Sequence, residues 1–327
     1  MAARRNTEWT EARIPDQTGR TALVTGATGG LGLRVAEVLA AHGARVLLGN
    51  RNRERGELAL THLRSNGSLA TQPELVTLDL ADLSSVRTAA ASIRRITGDR
   101  LDLIINNGGI MAPPRSLSVD GFELQWATNV VGPTALTWLL LPAIEATQNS
   151  RVVFVSSDRH RKGAFDEKLL LADLRGDNYR GFDVYGRTKL ADLLVSRELQ
   201  RHFDRIGSTS LSVAAHPGFT ATSIVGSGFA GLPRFAHRIA TVAAGILGQP
   251  VEAGALPILY AATAPGVSGD QFFGPTHFFG LRGPPGEAAR SPASTDEAIG
   301  RMLIRQLEDV TGIPAPATDG RDTDSIA

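Results

Sequence analysis

Tyr185 and Lys189 stand four positions apart in the stretch "VYGRTKLADLL". On a helix that offset puts both side chains on one face, one turn apart. A free tyrosine has a pKa of about 10 and is a poor base at neutral pH. A neighbouring ammonium stabilises the phenolate and lowers that value, and an oxidised nicotinamide would add to the effect. Tyr179 has Asp183 at the same offset and cannot be activated this way. Ser157 closes the run "RVVFVSS". The carboxyl end of a parallel strand is where open α/β sheets hold ligands, so its hydroxyl is placed to hold a carbonyl or alcohol oxygen beside Tyr185. Ser156 reads instead as a strand-end hydroxyl engaged in local hydrogen bonds.

A second constellation has the composition of a dinucleotide cradle. "TGATGGLG", Thr25 to Gly32, satisfies two glycine spacings, one using Gly26, Gly30 and Gly32 and the other Gly26, Gly29 and Gly32. Glycines between a buried strand and a helix let the backbone turn sharply and approach a pyrophosphate at the helix N-terminus. The end of the next apolar run reads "LLGNRNRERGE". Asn50 stands where an NAD-preferring enzyme places an acid, and the Arg51 guanidinium can pair with a 2′-phosphate. These residues predict NADP(H) over NAD(H), while Arg53 and Arg55 read as a solvated charged turn.

These residues need a scaffold that brings strand ends together. Short Val-, Leu- and Ile-rich runs begin at Thr21, Ala44, Glu74, Leu101, Arg151 and Ser210, with a weaker seventh at Asp270. They lack polar alternation, as strands buried on both faces do. Helical patterns between them close at Gly43 and Gly67. The expected fold is therefore α/β, a single-domain doubly wound parallel sheet of about seven strands with helices on both faces. Residues 1–18 read as an N-terminal extension, 19–312 as the domain and 313–327 as a disordered tail. Pro265 to Pro292, rich in Gly, Pro and Phe, reads as irregular, followed by a helix from Thr295 to Val310.

The bulk composition removes other classes. With 34 Lys+Arg against 33 Asp+Glu among 327 residues, no global field favours nucleic acid or anionic lipid. No cysteine is present, which excludes disulfides, thiolate metal sites and a Cys nucleophile and fits a cytoplasmic protein. "MAARRNTEW" lacks the apolar run of a secretory signal. The apolar stretch from Ile239 to Thr263 is interrupted by Gln249, Pro250 and Glu252, so no transmembrane segment is expected.

Taken together, the motifs resemble the short-chain dehydrogenase/reductase family, in its retinol-dehydrogenase-like branch, from Gly19 to about Gly312. "TGATGGLG" is similar to the family's cofactor loop, which brings in Thr28 and Leu31. "NNGG", Asn106 to Gly109, resembles N-N-A-G, with Gly108 where Ala is usual and Asn107 beside it. "DGFELQWATNVVG" resembles the helix carrying the family's catalytic Asn, here Asn129, and "LDLADLSSVR" would set Asp79 and Leu80 beside an adenine. "HPGFTAT" resembles the stretch after strand six, with Pro217, Gly218, Phe219 and Thr222 on the nicotinamide side. The resemblance implies a Rossmann fold and hydride transfer between nicotinamide and a carbonyl or alcohol. Tyr185 is then the acid/base, Ser157 orients the oxygen, Lys189 binds the ribose and Asn129 holds a proton relay. Pro133 supports the last role independently, since a proline at i+4 leaves the Asn129 carbonyl without its helical donor. A kink in a long helix is the alternative reading of Pro133.

The chain also departs from the family's usual form. Ser157 and Tyr185 are 28 positions apart (185 − 157), a long segment that the retinol-dehydrogenase-like branch shares. His160, on that segment, reads as a surface histidine. The run after Thr222 and Phe272, Phe273, Phe278 and Phe279 point to an apolar ketone, aldehyde or alcohol as substrate, or equally to core or a homo-oligomer interface. Two rivals stand. An extended-branch sugar-nucleotide epimerase or dehydratase fits the Gly26-Gly29-Gly32 spacing but not Asn107 and Pro217. A non-catalytic NADP-sensing protein would be expected to lose part of the four-residue constellation, which is whole here.

Overall fold

The computed structural model describes residues 8–65, 69–220 and 248–317. Eight strands form one sheet in the order β3-β2-β1-β4-β5-β6-β7-β8. They are β1 (Thr21–Thr25), β2 (Arg45–Asn50), β3 (Glu74–Thr77), β4 (Leu103–Asn106), β5 (Arg151–Val155), β6 (Leu211–Ala215), β7 (Phe272–His277) and β8 (Arg282–Glu287). All neighbours pair in parallel except β7 and β8. The order reverses between β1 and β4, which pair through Ala22, Leu23 and Val24, and there the carboxyl ends of the strands open a crevice.

Eight helices cover the two faces among the described residues: α1 (Gly30–Ala41), α2 (Arg53–Ser65), α3 (Leu83–Thr97), α4 (Leu124–Glu145), α5 (Glu167–Leu174), α6 (Gly181–Arg205), α7 (Val251–Thr263) and α8 (Glu297–Thr311). Helices α1, α2 and α7 bury Val35, Leu39, Leu60, Ile258 and Leu259 on one face. Helices α3, α4, α6 and α8 bury Ile93, Leu136, Leu194 and Leu303 on the other. Both faces of the central strands are therefore dry, which is why their sequences show apolar runs without alternation.

Helix α4 is long and apolar enough to cross a bilayer, but 78% of its apolar window is buried inside the protein. Its composition follows from burial between the sheet and α3, including Trp126, Leu136 and Leu140. Over Ala127–Val131 its hydrogen bonds widen to i→i+5, just before Pro133. Such widened turns place residues that a regular helix would rotate away.

Two sequence expectations need correction. The sheet has eight strands, because "RGPPGE" forms β8 within the stretch expected to be irregular. Its prolines are tolerated because β8 is an edge strand, where a missing N–H costs no ladder bond on the open side. The tail is docked as far as residue 317: Ile313 is buried, and the Ala317 carbonyl accepts from Arg205 Nε at 2.7 Å. Within the N-terminal extension, Trp9 lies edge-on to Tyr260 at 5.1 Å and Glu11 pairs with Arg34 at 2.7 Å.

The segment between Ser157 and Tyr185 is held by buried acids. Asp173 on α5 accepts from Trp126 Nε1 at 3.2 Å and from Arg187 Nη2 at 2.8 Å, joining α5 to α4 and α6. Glu123 caps α4, accepting from the amides of Gln125 and Trp126, each at 3.0 Å, while its Oε1 has no hydrogen-bond partner. Burial pushes the Glu123 carboxyl up to about 7, with the Asp173 charge adding and the two amides and Arg115 opposing. The folded chain therefore holds this proton more tightly than the unfolded chain, whose value is 4.5. Stability from this group is full below about 4.5 and is lost as pH rises through about 7. Glu123→Gln keeps an acceptor oxygen and cannot ionise. Its melting temperature relative to the unmodified protein should rise steadily between pH 5 and pH 8, and a difference independent of pH would contradict the assignment.

Candidate active site

The cradle is built from backbone that has no room for side chains. Gly26 and Gly30 have φ of +67° and +52°. A Cβ on Gly26 would stand 2.8 Å from Gly108 Cα, and one on Gly32 would stand 2.4 Å from the Gly26 carbonyl oxygen and 2.5 Å from Asn107 Nδ2. Gly29 is extended at φ 174° and a Cβ there meets nothing within 4 Å. The structural demand thus falls on Gly26, Gly30 and Gly32. Gly108 leaves room for Leu80, whose Cδ1 would lie 2.7 Å from an added Cβ.

Around this loop lies a cavity of about 540 Å³, lined by residues from Gly26 to Leu33, by Asn107, Gly108 and Gly109, and by Arg55, Leu58 and His62 from α2. Thr28 is in its wall, and its hydroxyl faces the Asn50 carboxamide oxygen at 3.4 Å. Arg55 is the residue that sequence reasoning missed: it is not just solvated charge but part of this wall. Its position in the first turn of the helix that follows Arg51 was the available signal. Arg51 is exposed and is not part of the cavity lining, and Arg53 pairs weakly with Glu57 at 3.8 Å. Neither Asp79 nor Leu80 lines this cavity, though Leu80 lies against Gly108. Asp79 Oδ1 accepts from the Ala81 amide at 2.9 Å, and Leu80 is buried.

A second cavity, of about 470 Å³, shares Leu31, Asn107 and Gly109 with the first. Its walls bring together Ser157, Tyr185 and Lys189 with Pro217, Gly218, Phe219 and Thr220. Gly218 has φ +65° and packs under the Leu281 carbonyl, and Gln249 Nε2 ties the Pro217 carbonyl at 2.6 Å. Thr222 and the apolar run expected beyond it up to residue 247 lie outside the described residues.

Lys189 is buried and donates to the Val155 carbonyl at 2.9 Å and to Asp192 Oδ2 at 2.8 Å. Burial opposes its charge, but the Asp192 carboxylate, with Tyr185, outweighs this and raises the ammonium's pKa. Its Nζ is 5.8 Å from the centre of the Tyr185 ring. Ser157 Oγ accepts the Arg159 amide at 3.3 Å, which leaves the hydroxyl hydrogen to point elsewhere. Ser156 makes a longer-range bond than expected, donating to the Lys189 carbonyl at 2.7 Å and so joining β5 to α6.

Asn129 does not line the cavity; it fixes the loop that does. Its Oδ1 accepts from the Ile110 amide at 2.8 Å, and its Nδ2 donates to the Ile110 carbonyl at 2.9 Å and to Thr188 Oγ1 at 3.1 Å. Gln125, one turn earlier, accepts from the Ala112 amide at 2.8 Å and donates to Tyr179 Oη at 3.0 Å. Burial, with the Glu123 charge adding and the Gln125 bond opposing, pushes the Tyr179 phenol up to about 12.

His160 is a correction. It is not on the surface but fully buried, edge-on to Phe272 at 5.3 Å. Its Nδ1 donates to the Ser157 carbonyl at 2.8 Å and its Nε2 accepts from the Ser291 amide at 3.2 Å, so the neutral ring bridges the end of β5 to the segment after β8. Burial keeps its pKa below the ordinary value against the pull of that carbonyl. One turn of 3-10 helix over Asp158–Lys162 hides it, a feature with no sequence periodicity.

The short chain dehydrogenase family profile matches residues 20–167. Mouse (Mus musculus) polyprenol dehydrogenase is 34% identical over 325 residues, covering 96% of this chain and 89% of its own. The chain belongs to the short-chain dehydrogenase/reductase family. Mouse retinol dehydrogenase 14 is 32% identical over 308 residues, covering 90% of this chain and 86% of its own, which places the chain in the retinol-dehydrogenase-like branch. A crystal structure of an uncharacterized protein from Mycobacterium paratuberculosis superposes with a TM-score of 0.76 at 35% identity, covering 95% of this chain and all of that one. This short-chain dehydrogenase/reductase is an oxidoreductase of CH–OH and C=O groups.

The glycine geometry yields a direct test. Gly32→Ala should abolish dinucleotide binding measured by calorimetry, because the added methyl meets backbone. Gly29→Ala should bind within about two-fold of the unmodified protein, since ordinary extended backbone accepts any side chain. Equal losses in both would contradict this division.

Proposed function

We propose that the chain is an NADP(H)-dependent oxidoreductase acting on an apolar ketone, aldehyde or alcohol, with Tyr185 as general acid/base. The observation that carries the reading is the shared wall. Leu31, Asn107 and Gly109 face both the glycine cradle and the cavity holding Ser157, Tyr185 and Lys189. A dinucleotide laid along this wall fits the cradle, whose side-chain-free backbone and helix N-terminus suit a pyrophosphate. When bound, NADP(H) supplies or accepts a hydride at nicotinamide C4.

The chain's own residues do the rest. The Ser157 hydroxyl donates to the substrate oxygen, its acceptor side being engaged by the Arg159 amide. Tyr185 gives its phenolic proton to the oxygen in reduction and takes it back in oxidation. Lys189, kept cationic by Asp192, favours the phenolate and offers its third N–H toward the ribose. Asn129 holds the Ile110 loop in place and so shapes the cavity. Ile110, Met111, Val155, Phe182, Phe219 and Leu281 make its lining predominantly apolar, which supports an apolar substrate body.

Cofactor choice rests on the end of β2. Asn50 carries no charge to repel a 2′-phosphate, and Arg51 with Arg55 supplies cations on that side. Two experiments test the reading. Tyr185→Phe should lower kcat for decanal reduction by about 10²–10⁴-fold with NADPH affinity unchanged; near-full turnover would refute the mechanism. Arg51→Ala should raise KM for NADPH while leaving KM for NADH as it was, and an unaltered ratio would remove Arg51 from cofactor choice.

A further inference from the structure

The cavity beside Ser157 and Tyr185 is apolar over most of its wall, yet three charged residues line it: Asp158, Arg159 and Lys189. Two of these are paired with an opposite charge. Lys189 is paired with Asp192 at 2.8 Å, and Asp158 is paired with Arg161 at 2.6 Å. Arg159 has no acidic partner and no side-chain hydrogen bond among the described residues. Its guanidinium instead lies over the Phe182 ring, 5.1 Å from the ring centre.

That arrangement has a chemical consequence. A contact with a ring face takes up no hydrogen-bond acceptor, so the guanidinium N–H donors stay available, in the fork geometry that suits a carboxylate. The guanidinium stands at the exposed rim of the cavity, where it can meet a charged end while the apolar wall beyond takes the rest of a ligand. The residue is also fixed relative to the chemistry, because its own amide is bonded to Ser157 Oγ.

We propose that Arg159 selects amphiphilic substrates: an apolar carbonyl or alcohol that also carries an anionic group, a carboxylate in the simplest case. Phe182 holds the cation at the cavity wall, and the apolar lining takes the substrate body. This assignment rests on the cavity being the substrate site.

Matched ligands test it without requiring turnover. Decanoate and decanamide share length and apolar area and differ in charge. Titration calorimetry on the full chain with saturating NADP+ should show decanoate binding about ten-fold tighter. Arg159→Gln should bring the two within about two-fold, Arg159→Lys should keep part of the preference, and raised salt should shrink it. Arg159 is exposed, so its replacement leaves the core intact. Equal binding of the two ligands, or a preference that survives Arg159→Gln, overturns the proposal. A competition assay separates it from the reading beneath it. Decanoate that binds through Arg159 but does not compete with decanal overturns the substrate-site assignment and this proposal with it. Competition without a carboxylate preference overturns this proposal alone.

Discussion

The Thr25 hydroxyl accepts the amide protons of Asn107 and Gly108 at 3.0 and 2.8 Å, and the Asn107 carboxamide donates back to the Thr25 carbonyl at 3.0 Å. These three bonds join the ends of β1 and β4, the two strands between which the sheet reverses order. Everything nearby inherits their spacing. The glycine loop leaves β1 directly beneath them, and an added Cβ on Gly26 or Gly32 would strike the joined backbone. The same bonds set Asn107 where it faces both cavities, so one polar lock positions the cradle and the wall it shares with Ser157, Tyr185 and Lys189.

A second set of buried polar contacts does for the helices what this lock does for the strands. Asn129 and Gln125 grip the chain after β4 at Ile110 and Ala112, and Asp173 ties α5 to Trp126 and Arg187. His160 fixes the Ser157 carbonyl from the other side. Each member is buried, so each bond resists exchange with water and leaving one partner unpaired is costly. The long segment between Ser157 and Tyr185 is thus a brace: its Asp173 holds Arg187 on the helix that carries Tyr185, and its His160 holds the Ser157 carbonyl at the end of β5.

Much of this was legible in the residues, and the exceptions have physical causes. Six parallel strands could be read because strands buried on both faces show unbroken apolar runs, as at Leu103–Asn106 and Arg151–Val155. Tyr185 and Lys189 could be read because a four-residue offset has one meaning on a helix. Strand β8 could not, since Gly283, Pro284, Pro285 and Gly286 carry turn chemistry and only an edge position makes them a strand. His160 could not, since its burial depends on Phe272 and Ser291, more than a hundred positions away. Arg55 and Arg159 share this difficulty: an exposed arginine looks the same in sequence whether it lines a cavity or faces open water.

Electrostatics at Lys189 tie these levels together. An ammonium as buried as this one loses its hydration, and desolvation by itself favours the neutral amine. The neutral amine would do nothing for a phenolate at Tyr185. Asp192, one turn further along α6, reverses the balance, and the pair is enclosed by the same helix packing that buries it. Of the three ammonium N–H bonds, one is held by the Val155 carbonyl and one by Asp192, leaving a single direction toward the cavity. The charge that the proposed chemistry needs is therefore set by a residue that never reaches the cavity, and its aim by a strand carbonyl. The i, i+3 spacing of Lys189 and Asp192 on α6 is the sequence-level source of the first, and the packing of β5 against α6 is the source of the second.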